Sequence, residues 1–177
     1  WFVGMPRRVR AFCGFGRWHD IEVEDDVTAY LDYGDGASGV FVTSTGEPHG
    51  VNRLEIVGTL GKLHLENGVL TRTLFDVDER AFCSTCETGF GQPNAQTEEL
   101  LRMTDGFDRH IDVLNRFVAA IRGLEPLFVD GREGIQSIRL MNAMLLSSWE
   151  NREIEMPLDD DAYFAALRKR IATSRKK

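Results

Sequence analysis

Proline is scarce in this 177-residue sequence, with five, and cysteine scarcer, with three, while 21 lysines and arginines are outnumbered by 28 aspartates and glutamates. Each shortage excludes something. The formal charge of −7 repels a phosphate backbone, so nucleic acid is not an expected partner. The few cysteines, Cys13, Cys83 and Cys86, are an odd number in a chain long enough to bury its own core. That usage fits a reducing compartment better than a disulfide framework. No apolar run approaches the roughly eighteen residues a membrane span needs, and the opening WFVGMPRRVRAF lacks the order of a signal peptide. A soluble, cytoplasmic protein with no membrane partner is therefore expected. Trp-Phe-Val is a poor solvated terminus and no initiator methionine precedes it, which implies residues upstream.

Catalytic signatures are missing too. There is no Walker motif, no G-x-S-x-G and no H-E-x-x-H. Gly89 and Gly91 lack the third glycine of a dinucleotide fingerprint. Cys83-Ser-Thr-Cys86 is a C-x-x-C without a second pair at zinc-site spacing and outside a βαβ setting, so no metal site is expected there and its role stays open. The basic tail from Arg168 to Lys177 reads as a solvated helix end.

What is present is a change of period. Residues 8 to 87 carry period-two runs; in VTAYLDY (27 to 33) Val27, Ala29, Leu31 and Tyr33 alternate with Thr28, Tyr30 and Asp32. Gly34-Asp35-Gly36-Ala37 pairs that run with SGVFVTST as a hairpin, Thr59-Leu60-Gly61 joins RLEIVG to KLHLE, and Asn67-Gly68 launches VLTRTLF. Six or seven sequential, largely antiparallel strands result. The stretch from Thr85 to Gly106 reads as a loop or flap. From Phe107 the period is helical: Ile111, Leu114, Phe117, Val118 and Ile121 share one face, with Asp108, Asp112 and Arg116 outside it, until Gly123 and Pro126 end the helix. Asp130 and Glu133 resemble a capping box before a stripe of Ile135, Ile138, Met141, Leu145 and Trp149. EIEMPL suggests an edge strand, and Asp159 or Asp160 caps a last helix. The fold class is α+β: an open, mostly antiparallel sheet with helices on one face, the other face free for substrate or for another subunit.

Four histidines remain. His64 alternates with Leu63 and Leu65 and reads as an ordinary surface residue. His19 and His49 lie in loops between strands, and His110 opens the helix near 108; each is able to face a ligand or water. Glu24-Asp25-Asp26 is better explained by one carboxylate tying down backbone than by a metal, because adjacent strand residues point to opposite faces.

Taken together, VEDDVTAYLDYGDGASGVFVTST, NRLEIVGTLGKLHLENG, HIDVLNRFVAAI, VDGREGIQSIRLMNAMLLSS and MPLDDDAYFAAL resemble the C-terminal domain of the glucose-fructose oxidoreductase, inositol dehydrogenase and MocA family. The resemblance implies that residues 1 to 177 form a substrate-binding and oligomerisation domain. An N-terminal Rossmann domain, absent from this sequence, would bind NAD or NADP. It also implies that the lysine of an E-K-P motif and the aspartate and histidine of a D-x-x-x-H motif lie upstream of Trp1, so no catalytic or cofactor-binding residue is assigned and the chain alone binds no cofactor. The intact protein would be an NAD(P)-dependent dehydrogenase of a sugar, inositol or related polyol, and a homodimer or tetramer. Substrate-orienting candidates are Arg17, Trp18 and His19 in the first loop, Thr45, Glu47, His49 and Arg53 around the second, and His110. A stand-alone binding or dimerisation module and a sugar-binding regulatory protein are the competing expectations.

Overall fold

The computed structural model describes residues 2–103 and 109–175, with the Arg109 side chain left out. Phe107 and Asp108 of the expected helix start, 104–106 of the expected loop and the last two residues of the basic tail lie outside the described residues. The chain forms two compact units, one built from the residues up to Pro48 together with those from Ala119 onward, the other from His49–Val118.

The first unit holds β1 (Arg8–Phe15), β2 (Glu24–Gly34), β3 (Ala37–Ser44) and β8 (Ile154–Glu155) in the sheet order β3-β2-β1-β8, all antiparallel. The hairpin between β2 and β3 needs left-handed backbone, and Gly34, Asp35 and Gly36 supply it with φ of 77°, 52° and 83°. Asp32 fastens the same turn by accepting from the Gly34 N–H at 2.8 Å and from Arg8. The expected alternation is seen: Val27, Ala29 and Leu31 are buried while Thr28 and Tyr30 face outward.

Helix α3 (Gly134–Glu150) lies against β1, and Val9, Ala11, Val27, Ala29, Leu31, Ala143, Met144, Leu146, Ile154 and Leu158 make the core. The buried face of this helix differs from the expected stripe. Ile135, Ile138 and Met141 are exposed, whereas Ala143, Met144, Leu146 and Ser147 are buried. The reason is close approach. β8 pairs only with Arg8 and Val9, so the next outward N–H groups of β1 have no strand partner. Ser147 and Ser148 fill that role: Ala11 N–H donates to the Ser147 hydroxyl at 2.9 Å and Cys13 N–H to the Ser148 hydroxyl at 3.0 Å. Small and hydroxylated residues that hydropathy passes over are what let the helix sit there.

Asp130 is a cap, as expected, but of a single 3-10 turn (Gly131–Glu133) that leads into α3, its carboxylate accepting from Arg132 N–H at 2.9 Å. Asp159 caps α4 (Asp160–Ala172), accepting from the N–H groups of Asp161 and Ala162. Tyr163 of α4 stacks on Trp149 of α3 with ring centroids 5.7 Å apart.

The second unit holds β4 (Arg53–Gly58), β5 (Gly61–Glu66), β6 (Val69–Phe75) and β7 (Ala95–Arg102) in sequential antiparallel order. Leu54, Leu65, Leu70 and Leu101 stand in one cross-strand row, giving this sheet a leucine-rich face. Asn67 and Gly68, with φ of 50° and 76°, make the expected turn. The strands thus divide between two sheets rather than lining one. Gly46, Pro48 and Gly50 interrupt the segment after β3, so no tight turn pairs β3 with β4.

Two elements correct the sequence reading. α1 (Glu79–Thr85) is a short helix, capped by Asp78, within the stretch expected to be strand, and β7 occupies 95 to 102 of the expected loop. All eight β7 residues are exposed, so no period-two signal exists to be read. Its backbone is satisfied by β6, and its side chains pair across the ladder, Arg72 with Glu98 and Thr73 with Thr97 at 2.8 Å. Helix α2 (Arg109–Ile121) forms where expected, with Arg116 paired to Asp112 at 3.1 Å and Gly123 at φ 68° just past its end, but its apolar face of Ile111, Leu114, Phe117, Val118 and Ile121 is exposed.

Candidate functional site

The site assembles around Asp25 at the start of β2. Its side chain is fully buried, and its carboxylate accepts three backbone N–H groups from the preceding loop: Arg17 at 3.1 Å, Trp18 at 2.7 Å and His19 at 3.1 Å. The His19 ring adds a fourth contact, Nδ1 lying 3.5 Å from the same carboxylate. Burial by itself would push the Asp25 carboxyl up, but the N–H groups of Trp18, Arg17 and His19 outweigh it and hold the group below the ordinary carboxylate range. One ionised side chain therefore ties down three consecutive candidate residues, as the E-D-D lead suggested.

The Asp25 backbone does the same for the second loop. Its carbonyl accepts from Thr45 N–H at 2.9 Å and from the Thr45 hydroxyl at 3.3 Å. The Thr45 hydroxyl also lies 3.3 Å from His19 Nδ1. The carboxylate favours a proton on Nδ1, which leaves Nε2 of the half-exposed ring as an acceptor for an incoming hydroxyl. Gly46 completes the join: a Cβ there would fall 2.3 Å from Trp18 Cγ, so only glycine lets the backbone lie on the indole. Trp18 remains 55% exposed, enough to offer a ring face. Arg17 is held beside Asp26 at 3.5 Å.

Next to this junction, between β2, β3 and α3, lies a cavity of ≈ 260 Å³. Asp25, Ser44 and Thr45 form its polar end, and Phe41, Met141 and Met144 its apolar wall. The arrangement offers hydrogen-bonding groups and an aromatic face beside an apolar recess, a set suited to a polyhydroxylated ring.

Of the eight expected residues the structure gathers four, Arg17, Trp18, His19 and Thr45, and all belong to the first unit. Glu47 lies in the same unit, exposed in the loop beyond them. His49 at φ 58°, Arg53 on β4 and His110 on α2 belong to the second unit, where Arg53 pairs with Glu55 at 3.3 Å. Sequence reasoning missed Ser44, Gly46 and the Phe41–Met141–Met144 wall. The glycine carries no chemistry of its own, and Met144 lies off the apolar stripe expected for α3, whereas Met141 belongs to it but carries no polar signal of a site. Among the described residues no group of three or more histidine, cysteine or acidic side chains could hold a metal ion. No helix is long and apolar enough to cross a membrane among the described residues.

Residues 1–64 match the model of the GFO/IDH/MocA C-terminal domain. No curated protein matches the sequence. Among solved structures, the WlbA dehydrogenase from Bordetella pertussis, in complex with NADH and UDP-GlcNAcA, is similar with a TM-score of 0.61 and 23% identity over 90% of this chain and 43% of that one. An NAD binding oxidoreductase from Klebsiella pneumoniae gives 0.64 and 18% over 88% and 46%. The aldose-aldose oxidoreductase from Caulobacter crescentus, complexed with glycerol, gives 0.57 and 20% over 86% and 42%. This chain spans less than half the length of each of them.

Proposed function

We propose that this chain, whose residues 1–64 match the model of the GFO/IDH/MocA C-terminal domain, is the substrate-binding half of an NAD(P)-dependent dehydrogenase acting on a CH–OH group of a sugar or sugar nucleotide. The observation that carries the reading is the Asp25 junction, which gathers Trp18 and His19 next to Thr45, and Thr45 in turn lines an apolar cavity. The similar structures with NADH and UDP-GlcNAcA, or with glycerol, support the class of ligand.

Every strand pairing among the described residues is antiparallel, and no strand–glycine loop–helix unit of the dinucleotide-binding kind is present among them. These residues do not fit the nicotinamide cofactor, whose place in this proposal is a Rossmann domain outside the sequence. The contribution of this half is then orientation. His19 Nε2 accepts from a substrate hydroxyl, the Thr45 hydroxyl binds a neighbouring one, and Trp18 stacks on the C–H face of the ring. Holding the reacting carbon in one place is worth several kcal/mol of barrier, about 7–11 at the upper end for intramolecular models.

Assembly belongs to the same proposal. The sheet face opposite α3 carries Phe12, Tyr30, Val40 and Val42, at 61%, 52%, 70% and 65% exposure, in adjacent cross-strand rows. Burying it in a homodimer or tetramer removes that apolar surface from water.

The test is expression of the whole native reading frame and measurement of NAD(P)H absorbance against aldoses, inositols and nucleotide sugars. Reduction of the cofactor by one of them is expected, with kcat lowered about tenfold as well as KM raised in Trp18→Ala and His19→Ala, because a substrate that is held less firmly in orientation meets a higher barrier. A reading frame that starts beside Trp1, or substrate kinetics indifferent to both substitutions, overturns the proposal in favour of a stand-alone module.

A further inference from the structure

The C-x-x-C pair plays no part in the site above, and the structure shows the two sulfurs in unlike surroundings. Cys83 lies in the last turn of α1 and is exposed; its thiol donates to Glu79 Oε1, one turn back, at 3.1 Å. Cys86 is the C-cap of that helix, its N–H still bonded to the Phe82 carbonyl at 2.9 Å and its own backbone extended. The loop that follows folds back onto the Cys86 sulfur. The thiol donates to the Thr88 carbonyl at 3.2 Å, and the Thr88 hydroxyl lies 3.4 Å away. Gly91 closes the ring, its backbone so near that a Cβ would fall 2.4 Å from the sulfur. One sulfur thus lies enclosed by the hydroxyl and backbone of the following loop while a carboxylate faces the other.

We infer that Cys86 and Cys83 form a peroxide-oxidisable thiol pair, with Cys86 as the attacking sulfur and Cys83 as the resolving one. The asymmetry follows from the contacts. The Thr88 hydroxyl, with the N–H groups of Thr88 and Gly91, favours the Cys86 thiolate and lowers its pKa. The hydrogen bond to Glu79 keeps Cys83 protonated by raising its pKa. In the first step the Cys86 thiolate attacks one oxygen of hydrogen peroxide. An S–O bond forms, the O–O bond breaks, and the departing hydroxide becomes water by taking up the proton that the Cys86 thiol released on ionising. Cys86 is then a sulfenic acid. In the second step Cys83 loses its proton to Glu79 and attacks the Cys86 sulfur. The S–S bond forms, the S–O bond breaks, and the departing hydroxyl leaves as water with that proton. Two thiols and one peroxide become one disulfide and two waters.

Geometry permits closure. Residues three apart at a helix turn have Cβ atoms about 5–6 Å apart, and a disulfide needs about 3.5–4.5 Å. The missing ångström or two comes from Cys86, the C-cap, whose backbone has already left the helix for extended dihedrals.

The experiment treats the 177-residue chain with near-stoichiometric hydrogen peroxide and maps tryptic peptides without reduction. Both cysteines fall in the peptide from Ala81 to Arg102, which is expected to lose two hydrogens and to regain them with dithiothreitol. Cys83→Ser is expected to stop at the sulfenic acid, trapped by dimedone on Cys86. In Cys86→Ser, dimedone labelling of Cys83 is expected to fall about tenfold below that level. Glu79→Gln is expected to slow disulfide closure about tenfold while the sulfenic acid forms at the normal rate. Thr88→Val keeps both thiols and covers the case in which a cysteine variant does not fold. Its Cys86 is expected to alkylate with iodoacetamide several-fold more slowly at neutral pH. Equal labelling of Cys83 and Cys86, unchanged Cys86 alkylation in Thr88→Val, or oxidation that links Cys13 or a second chain instead overturns the inference.

Discussion

Replacing Ser147 by alanine tests how the first unit is closed. The Ser147 side chain is fully buried. Its hydroxyl accepts from Ala11 N–H at 2.9 Å and donates to the Arg152 carbonyl at 2.6 Å, so one atom joins the free edge of β1, the end of α3 and the turn into β8. Ala11 is 0% exposed, and its N–H has no water to turn to once the hydroxyl is gone. An orphaned buried donor costs about 1–3 kcal/mol, and losing the bond to the less buried carbonyl adds about 1. The expected destabilisation is therefore about 2–4 kcal/mol, or roughly 5–12 °C in Tm at this chain length. Urea unfolding followed by Trp149, which stacks within the same unit, reads the loss directly. Ser148→Ala is the internal comparison. Its partner, the Cys13 N–H, is only part-buried, so about 1 kcal/mol is expected. If Ser147→Ala unfolds within about 0.5 kcal/mol of the parent, the hydroxyls are not what satisfies the β1 edge and the account of α3 docking is refuted.

Asp25→Asn is expected to loosen the 17–19 loop; because the folded-state pKa of Asp25 is depressed, its stabilisation is present above the unfolded value of about 4 and disappears as pH falls through the folded one. Parent and variant melting curves should thus differ at pH 7 and converge in acid; a gap that widens on acidification contradicts the assignment. Gly46→Ala is expected to displace the Trp18 ring, seen as a change in tryptophan near-ultraviolet dichroism, and to cost about 1–3 kcal/mol of stability. A double change of Val40 and Val42 to glutamate is expected to shift the sedimentation profile to monomer, whereas an unchanged oligomer would place the subunit interface elsewhere.

What the sequence makes legible follows from where the physical signal resides. β2 reads clearly because one face of it is buried throughout, Val27, Ala29 and Leu31 against Thr28 and Tyr30. The turns at 34 to 37 and 67 to 68 read clearly because left-handed backbone needs glycine, asparagine or aspartate. β7 does not read at all. A fully exposed edge strand is held by its neighbour's backbone and by pairs such as Arg72 with Glu98, and neither leaves a periodic trace in a single segment. In α3 the error is one of phase, because Ile135, Ile138 and Met141 face out while Ala143, Met144, Leu146 and Ser147 face in.

The same logic separates the legible half of the site from the rest. Arg17, Trp18, His19 and Thr45 were accessible to reasoning because polar side chains in loops between strands are the usual carriers of binding, and E-D-D at a strand start marks a carboxylate available to order them. The carboxylate's partner atoms are backbone N–H groups, which every residue possesses and no residue type advertises. That Asp25, rather than Glu24 or Asp26, is the organiser follows from parity: it shares the inward face of β2 with Val27, Ala29 and Leu31, and a buried carboxylate on that face must find donors or lose its charge. The nearest supply is the loop that has just turned back from β1. Ordering of the candidate site is thus a consequence of burying one acidic residue at the mouth of an apolar strand, and it needs no ligand to be present.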